Sequence, residues 1–351
     1  MSGLVTRTVC LLGFGNVGRR FCELIDRKAD ELADEHRLRV AFAAVGTGSH
    51  GSLLARRVLT AAEVLAAATF PDPAKLGADL IVASGADLLI EATPLEARGR
   101  TAIAHLETGL THGMDAITVN KGPLAWDYRR LAQLAADHGR RLLFEGAVMD
   151  GCPVFSLFRS CLPDCRLLGF DAVFNSTTNY ILDAMGEGVG FADALAQVQA
   201  AGYAEADPAH DIDGHDAAAK TVALANVLMA ASLTPDDVPK DSIRGMTAAR
   251  VTAARAAGRR LRVVCSARRD ESGGGAIGEV GGGASGARVS AAVRLTELEP
   301  GHALFSAGGS TLSVLLHTDL MGTVQIAERD ALPDQTAYAI YADLLAIHEG
   351  R

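Results

Sequence analysis

The stretch from Gly202 to Lys220, GYAEADPAHDIDGHDAAAK, carries side chains that could bind a charged substrate and move a proton. Its nineteen residues include four Asp, one Glu, two His, one Tyr and one Lys. Five carboxylates cannot all be buried without shifted pKa values or cationic partners. The stretch is therefore either a solvated acidic loop or a site for a positively charged molecule.

The pattern turns helical inside this stretch. Asp213 is predicted to cap a helix, with Asp216 as the second half of a capping box and alanine-rich sequence after it. Asp216 and Lys220 then share one helical face at i and i+4, which in most proteins is only a surface salt bridge. The residues after Lys220 are apolar on nearly all sides, so we expect a buried helix. A lysine held beside carboxylates on such a helix is a candidate proton-transfer group.

A second chemical signal lies near the start of the chain. An apolar strand-like run, residues 8–12, precedes Gly13, Gly15 and Gly18 and an amphipathic helical pattern. The first glycine permits a tight turn, the second lets main chain approach a pyrophosphate, and the third lets helix and strand pack closely. In this setting the three glycines predict dinucleotide binding.

The second strand, predicted at 38–46, bears on which dinucleotide is bound. Neither Asp nor Glu follows it, whereas a carboxylate there binds the ribose hydroxyls of NAD and repels the 2′-phosphate of NADP. The residues that follow are compatible with that phosphate: Thr47, Ser49, His50, Arg56 and Arg57. The sequence therefore predicts that NADP is accepted at least as well as NAD. The alternative is that the two arginines only solvate a helix.

These residues must be positioned by two domains. Strand-like runs at 8–12, 38–45, 79–82, 87–91, 115–119 and 141–145 alternate with helical segments, which predicts an α/β fold with an N-terminal Rossmann-type, doubly wound parallel sheet. Further strand-like runs at 166–174, 261–268 and 287–295 predict a second, α+β domain. The expected domains are 1–145, with 335–351 packing back on it, and 146–334. Residues 273–286, rich in glycine, are predicted to form a flexible loop between two strands.

Composition narrows the functional class. The 351 residues are 49% hydrophobic with a formal net charge of −9, which argues against a nucleic-acid partner. No apolar run is long enough to span a bilayer, and the N-terminus lacks a charged-then-apolar secretory pattern. We expect a cytoplasmic metabolic enzyme that acts on a small molecule.

Taken together, the motifs resemble those of the homoserine dehydrogenase family, in a short form without a C-terminal regulatory domain. The resemblance spans nearly the whole chain and rests on GFGNVG (13–18), EATP (91–94), VNKGPLA (119–125), EGAVMDGCPVF (145–155), NSTTNYIL (175–182) and the 202–220 stretch. It implies interconversion of L-homoserine and L-aspartate 4-semialdehyde with NAD or NADP. It also implies a homodimer formed through the sheet of the second domain.

The resemblance also implies roles for individual residues. Lys220 would exchange the alcohol proton, Lys121 would lie near the reacting oxygen, and Asp216 would orient Lys220. The substrate ammonium would be held by Glu205 and Asp211, and its other polar groups would be contacted by Thr177 and Tyr203. Cofactor contacts would come from Gly13, Gly15, Asn16, Val17, Gly18, Thr93, Asn120 and Lys121. Main-chain carbonyls near Glu145, Val148 and Asp150 would form a site for Na⁺ or K⁺.

Each of these roles has a plainer alternative. Lys121 could be a turn-capping cation, Thr177 and Tyr203 could be hydrogen-bonded core residues, and the segment around Val148 could be an ordinary glycine-containing turn. The chain also departs from the family: residues 326–345 lack the glycine-rich turn expected near the nicotinamide, and Ser176 stands where the family has glycine. Three functions therefore remain: a homoserine dehydrogenase, a related oxidoreductase for another amino-acid alcohol or semialdehyde, or an inactive nucleotide-binding homologue.

Overall fold

The structure is a computed structural model that describes residues 3–48, 51–67, 70, 77–204, 207–270 and 288–350. Three features of the sequence analysis lie outside these described residues: the glycine-rich segment 273–286, Glu205, and the pair Ser49 and His50. The chain divides into two compact units. The first consists of Met1–Ser156 and Leu332–Arg351, and the second of Leu157–Ala331.

The first unit contains a six-stranded sheet in the order β3-β2-β1-β4-β5-β6. Its strands are β1 (Val5–Leu12), β2 (Leu38–Gly46), β3 (Ser52–Leu59), β4 (Leu88–Glu91), β5 (Asp115–Thr118) and β6 (Leu142–Leu143). All neighbouring strands are parallel except β3, which pairs antiparallel with β2 at the edge. The predicted doubly wound fold is confirmed, and β3 is a strand that the sequence analysis missed.

Helices cover both faces of this sheet. They are α1 (Asn16–Arg27), α2 (Ala29–Glu35), α3 (Ala61–Ala66), α4 (Ala78–Ser84), α5 (Arg100–Thr111), α6 (Lys121–Trp126), α7 (Tyr128–Asp137) and α8 (Val154–Ser156). Alternate residues of β1 show the layering, since Val9 packs in one hydrophobic cluster with Phe21 of α1, and Cys10 packs in another with Leu106 of α5. Burial on both faces explains the continuous apolar runs of these strands.

The prediction of a strand at 79–82 is wrong. These residues lie inside α4, where Leu80 and Ile81 are fully buried against the sheet. A short apolar run looks the same whether it forms a buried strand or a buried helix face, so periodicity could not separate the two.

The second unit contains a five-stranded antiparallel sheet in the order β11-β10-β7-β8-β9. The strands are β7 (Leu167–Val173), β8 (Arg260–Asp270), β9 (Arg288–Leu298), β10 (Leu312–Thr318) and β11 (Thr323–Glu328). The helices are α9 (Ser176–Gly186), α10 (Phe191–Ala200), α11 (Ala209–Ile212), α12 (His215–Leu228) and α13 (Ala248–Ala256). Helices α9, α12 and α13 all contact β8. The sheet therefore supports α12, the helix that carries Asp216 and Lys220.

The last helix, α14 (Pro333–Glu349), returns to the first unit. Its Ile340 and Leu344 belong to the same hydrophobic cluster as Val9 of β1. The segment after β6 stays with this unit as well, because the main-chain N–H of Glu145 donates to Asp343 of α14. Among the described residues, no helix combines the length and apolar character that crossing a bilayer requires.

Candidate functional site

The glycines after β1 have the geometry that a dinucleotide turn needs. Gly13 has a φ of +97°, and a Cβ added to it would lie 2.1 Å from the carbonyl oxygen of Ala92. A Cβ on Gly18 would lie 2.1 Å from the carbonyl oxygen of Gly13, so α1 and the turn pack backbone against backbone. A Cβ on Gly15, by contrast, would meet nothing within 4 Å. The middle glycine therefore leaves open the space that a pyrophosphate would occupy.

The start of α1 provides the complementary charge. Gly15 is the N-cap and contributes no side chain, and Asn16 and Val17 are the first residues of the helix. The first N–H groups of a helix have no partner within it, and the helix dipole is positive at this end. The residues present therefore fit a dinucleotide phosphate.

Thr93 and Asn120 lie together at the carboxyl ends of β4 and β5. The side-chain amide of Asn120 donates to the carbonyl oxygen of Thr93 at 3.2 Å. The buried carboxylate of Glu91 accepts hydrogen bonds from the hydroxyl groups of Thr93 and Thr118. A carboxylate at the end of the apolar strand β4 was the available sequence signal for Glu91, which the sequence analysis did not single out as a site residue.

Lys121 is the first residue of α6, directly after the carboxyl end of β5. Asn120 caps this helix, with its side-chain oxygen accepting from the main-chain N–H of Gly122 at 2.9 Å. The cap comes from Asn120, so capping does not explain the lysine. Lys121 is half-buried at the sheet edge where parallel α/β proteins bind ligands.

The segment proposed for a monovalent cation begins with a short 3₁₀ helix, Glu145–Ala147. The carboxylate of Glu145 accepts from the main-chain N–H groups of Phe155 and Ser156 at 2.8 and 2.7 Å, so this side chain is engaged inside the protein. Asp150 has a φ of +47°, which is uncommon for a residue with a side chain. No cluster of three or more His, Cys, Asp or Glu side chains with metal-binding potential occurs in the described part of the chain.

In the second unit, Lys220 and Asp216 lie one turn apart on α12, as the spacing predicts. The Nζ of Lys220 lies 3.4 Å from Oδ2 of Asp216 and donates to the carbonyl oxygen of Phe174 at 2.9 Å. Both side chains are more than four-fifths buried, at 17% and 12% exposure. The surface-salt-bridge alternative does not apply to this pair.

The predicted capping box at Asp213 is wrong. The N-cap of α12 is Gly214, with a φ of +75° and no side chain to cap with. Asp213 instead forms an ion pair with Arg244 at 2.6 Å and accepts a hydrogen bond from Ser242. Gly214, in the left-handed conformation, separates α11 from α12. Arg244 binds the carboxylate of Asp213, which the local sequence predicts as a cap.

Asp211 joins Asp216 through a shared partner. The side-chain amide of Asn175 donates to Oδ1 of Asp211 at 2.6 Å and to Oδ2 of Asp216 at 3.0 Å. Burial raises the pKa of Asp211, and the charge of Asp216 raises it further. The hydrogen bond from Asn175 opposes that shift. Asn175 is a site residue that the sequence analysis missed as an individual, although its motif was noted.

Thr177 and Tyr203 are hydrogen-bonded to each other, and the alternative that each is a hydrogen-bonded core residue applies to only one of them. The hydroxyl of Thr177 donates to the main-chain oxygen of Tyr203 at 2.9 Å, so this buried threonine already has a structural partner. Tyr203 is no core residue, since 43% of its surface is exposed. Its ring stacks on Tyr180 with 4.3 Å between centroids.

A cavity of about 710 Å³ borders this tyrosine stack. Its walls include Arg255, Arg259 and Arg260 as well as both tyrosines, but neither Lys220 nor Asp216. The buried and hydrogen-bonded groups around Lys220 are therefore the better candidate for the chemistry, because perturbed ionisable groups held close together mark functional sites.

The segment that departs from the family ends β11 and leads into α14. Asp330 has a φ of +55°, so the backbone adopts the left-handed turn even without glycine. Burial raises the pKa of Tyr180, and the negative charge of Asp330 contributes to that rise. The expectation that the segment reshapes the substrate pocket stays a prediction.

The first unit contains a parallel sheet with a dinucleotide turn, and the second contains an antiparallel sheet and a lysine among carboxylates. These features are typical of one class of protein, the nicotinamide-dependent oxidoreductases. Comparison with known families narrows this class. Residues 13–145 match the homoserine dehydrogenase NAD-binding domain, and residues 153–345 match the homoserine dehydrogenase family. The chain belongs to the homoserine dehydrogenase family.

Individual relatives are similar over nearly the full chain. An NAD⁺-dependent homoserine dehydrogenase from Pseudomonas canavaninivorans is 32% identical, with 97% of this chain and 96% of that protein covered. A homoserine dehydrogenase from Mycobacterium leprae is 31% identical, with 98% and 72% covered. The crystal structure of a homoserine dehydrogenase from Thiobacillus denitrificans superposes with a TM-score of 0.81 at 25% identity, covering 99% of this chain and 74% of that one.

Proposed function

We propose that this protein interconverts L-homoserine and L-aspartate 4-semialdehyde in amino-acid biosynthesis, as a cytoplasmic enzyme. The observation that carries the proposal is the group formed by Lys220, Asp216 and Asp211 in the second unit, where one buried lysine lies among carboxylates bridged by one amide. An amino-acid substrate brings an ammonium group, which gives an acidic site a ligand.

The proposed mechanism assigns the proton to Lys220. In the oxidation direction its amine accepts the proton of the substrate hydroxyl, and in reduction it returns that proton to the oxygen. Asp216, 3.4 Å from the Nζ, orients the lysine together with the carbonyl oxygen of Phe174. Lys121, at the carboxyl end of β5, supplies a second positive charge for the reacting oxygen.

Substrate binding is assigned from the family resemblance. Asp211 and Glu205 would bind the ammonium group by charge, and Thr177 and Tyr203 would contact its other polar groups. The ionised form of Asp211 is the one that binds a cation, so the hydrogen bond from Asn175 favours binding by stabilising that form.

The cofactor site is assigned to the first unit. NAD or NADP would be held by Gly13, Gly15, Asn16, Val17, Gly18, Thr93, Asn120 and Lys121. When bound, the nicotinamide supplies the hydride acceptor or donor, so the protein needs to provide only orientation and one proton shuttle. The open space at Gly15 and the helix N-terminus at Asn16 support this assignment.

Two further properties are proposed from the family resemblance. Main-chain oxygens near Glu145, Val148 and Asp150 would bind Na⁺ or K⁺, for which carbonyl oxygens are suitable donors. The protein would form a homodimer through the sheet of the second unit, which size-exclusion chromatography with light scattering can test.

A second candidate function follows from the segment around Asp330. Charged residues there stand in place of the family's glycine-rich turn, which favours an amino-acid alcohol or semialdehyde other than homoserine. An inactive homologue is the third outcome, although a buried lysine and two carboxylates are a costly arrangement for a protein without chemistry to perform.

The test is an absorbance assay of nicotinamide reduction with the purified protein. L-Homoserine is compared with other 4-hydroxy and 3-hydroxy amino acids, each with NAD and with NADP. Turnover that is fastest with homoserine supports the proposed function, and faster turnover with another substrate supports the second candidate. Absence of turnover with all of them, while either cofactor still binds, would identify an inactive homologue.

A further inference from the structure

Asn175 occupies the junction between the two carboxylates of the site and the start of α9. It is 6% exposed and serves as the N-cap of α9, with its side-chain oxygen accepting from the main-chain N–H of Thr178 at 2.8 Å. Its amide group uses both hydrogens on carboxylates, one on Asp211 and one on Asp216. The acceptor and donor atoms of one side chain therefore have separate tasks.

The donor task has an electrostatic consequence. The half-buried Asp211 comes from α11 and the buried Asp216 from α12, and two carboxylates this close repel each other. An amide that donates to both lowers the cost of keeping them ionised side by side. Lys220 adds a positive charge 3.4 Å from Oδ2 of Asp216. The thiol of Cys265 on β8 stays neutral, since burial raises its pKa to about 12.

We propose that Asn175 is a positioning residue for the reaction, one that holds Asp211 and Asp216 together in their ionised forms through its amide, separately from its capping of α9. This inference rests on the proposed function for its kinetic consequences but not for its electrostatic ones. The residue touches neither substrate nor cofactor in this role. It acts through the two aspartates, one for ammonium binding and one for orienting Lys220.

Two substitutions separate the tasks of the side chain. Asn175→Asp keeps an oxygen that can cap α9, because Asp is as good an N-cap as Asn, but it replaces the donor with a third carboxylate. Asn175→Ala removes the cap and the donor without adding charge. If capping were the whole role, the alanine variant would be the more impaired. With the bridging role, the aspartate variant is the more impaired.

A matched control is Asn226 on α12, which is also 6% exposed and also binds through both ends of its amide. Its side-chain amide donates to the carbonyl oxygen of Leu233 and accepts from the main-chain N–H of the same residue. Asn226→Ala therefore removes a buried asparagine that bonds the main chain. It should lower stability equally at all pH values and leave the pH dependence of turnover unchanged.

The kinetic test is kcat/KM as a function of pH for the unaltered protein and the three variants. We expect Asn175→Asp to lose roughly 10- to 100-fold, the range that corresponds to a hydrogen bond to a charged group, and to lose more than Asn175→Ala. The acid limb of its profile should move to higher pH, because a third carboxylate raises the pKa of the aspartates that must be ionised. An alanine variant worse than the aspartate variant, with an unmoved acid limb, would overturn the inference.

A second measurement needs no turnover and so distinguishes failure of this inference from failure of the proposed function. The melting temperature of Asn175→Asp is compared with that of the unaltered protein from acidic to neutral pH. We expect a deficit at neutral pH that shrinks on acidification, as the extra carboxylate is protonated. A deficit independent of pH, like that of Asn226→Ala, would show that the side chain acts only as a cap.

Discussion

Nζ of Lys220 donates to the carbonyl oxygen of Phe174 and also lies 3.4 Å from Oδ2 of Asp216, so the lysine is held from two elements at once. Phe174 directly follows β7, and Asp216 lies one turn earlier on α12. Two partners on different elements leave the flexible lysine side chain little freedom. This is the arrangement expected of a group that must present a proton in one direction.

The first prediction concerns this lysine. Lys220→Ala should reduce turnover by about 10²- to 10⁴-fold, the usual cost of losing a general acid or base. The fold and cofactor binding should persist, because Asp216 keeps its hydrogen bond to Asn175. Steady-state kinetics at saturating substrate and a cofactor titration measure both effects.

A suitable control for that variant is Lys240→Ala. Lys240 is a half-buried lysine of the same unit that precedes Asp241 in a loop beside β9. Its removal should leave turnover close to that of the unaltered protein. Near-normal turnover of Lys220→Ala would exclude the proton-transfer role.

The second prediction concerns stability at Asp211. Its pKa is raised in the folded protein, by burial first and by Asp216 second. The folded pKa then exceeds the unfolded one, so the contribution to stability is present below the unfolded pKa and lost as the pH rises through the folded pKa. Asp211→Asn should therefore raise Tm by a few degrees at neutral pH, but not at low pH, and weaken substrate binding.

Asp213→Asn provides a comparison with the opposite sign. The ion pair with Arg244 lowers the pKa of Asp213, so its stabilising contribution is present above the unfolded pKa and lost as the pH falls. This variant should lower Tm at neutral pH and leave the KM for substrate unchanged. If Asp211→Asn lowered the Tm at neutral pH as Asp213→Asn does, the ionised Asp211 would not destabilise the folded protein, and the prediction would be wrong.

The third prediction concerns the cofactor. NADPH should bind at least as well as NADH, because no carboxylate follows Gly46 at the end of β2. The structure does not favour Arg56 and Arg57 as the cause of NADPH binding. Gly46 pairs with Ser52, and Arg57 lies five residues further along β3, about 16 Å away, in an ion pair with Glu63.

Fluorescence titration with both reduced cofactors measures this preference. The double variant Arg56→Ala/Arg57→Ala should leave the ratio of the two dissociation constants unchanged, and it removes the ion pair with Glu63. A clear preference for NADH in the unaltered protein would contradict the prediction. A change of this ratio in the double variant would show that the arginines contact the ribose end of the cofactor.

The fourth prediction concerns the segment after β11. Homoserine turnover should stay below about 10 s⁻¹, the median for enzymes, because residues 326–334 carry charged side chains in place of the family's glycine-rich turn. Asp330→Gly should raise turnover, since glycine accepts the φ of +55° without strain and removes the charge. Initial rates with homoserine measure the effect.

Asp164→Gly controls for the change in backbone freedom. Asp164 also has a left-handed backbone, with a φ of +60°, and is exposed in the turn before β7. Its replacement should not change the rate. Ordinary homoserine turnover in the unaltered protein would contradict the prediction and support the plain family function.

Local spacing was sufficient for part of this molecule. The three glycines after β1 predict their turn because a positive φ at Gly13 and the close contact of Gly18 with the carbonyl oxygen of Gly13 are local, although Gly13 also lies against Ala92 of a distant strand end. The pairing of Asp216 with Lys220 is equally local, since a helix brings i and i+4 together wherever it lies. The alternation of strands and helices likewise predicts the parallel sheet of the first unit.

Other features depend on contacts that local sequence does not contain. Residues 79–82 form a helix because they pack on a sheet face, and Asp213 is no cap because Arg244, distant in sequence, binds it. Arg57 is likewise engaged by Glu63 once β3 forms an edge strand that the sequence did not reveal.

The sequence by itself determined the nucleotide turn and the lysine–aspartate pair, because each is encoded within one or two turns of chain. It also determined the class of protein, because the motifs of that class occur along nearly the whole chain. Only the tertiary structure brought Asn175 to Asp211 and Asp216, which are 36 and 41 residues away along the chain. Their hydrogen bonds form because α9, α11 and α12 converge in the second unit. Contacts between distant segments depend on the packing of the whole unit, and no spacing within a motif specifies them.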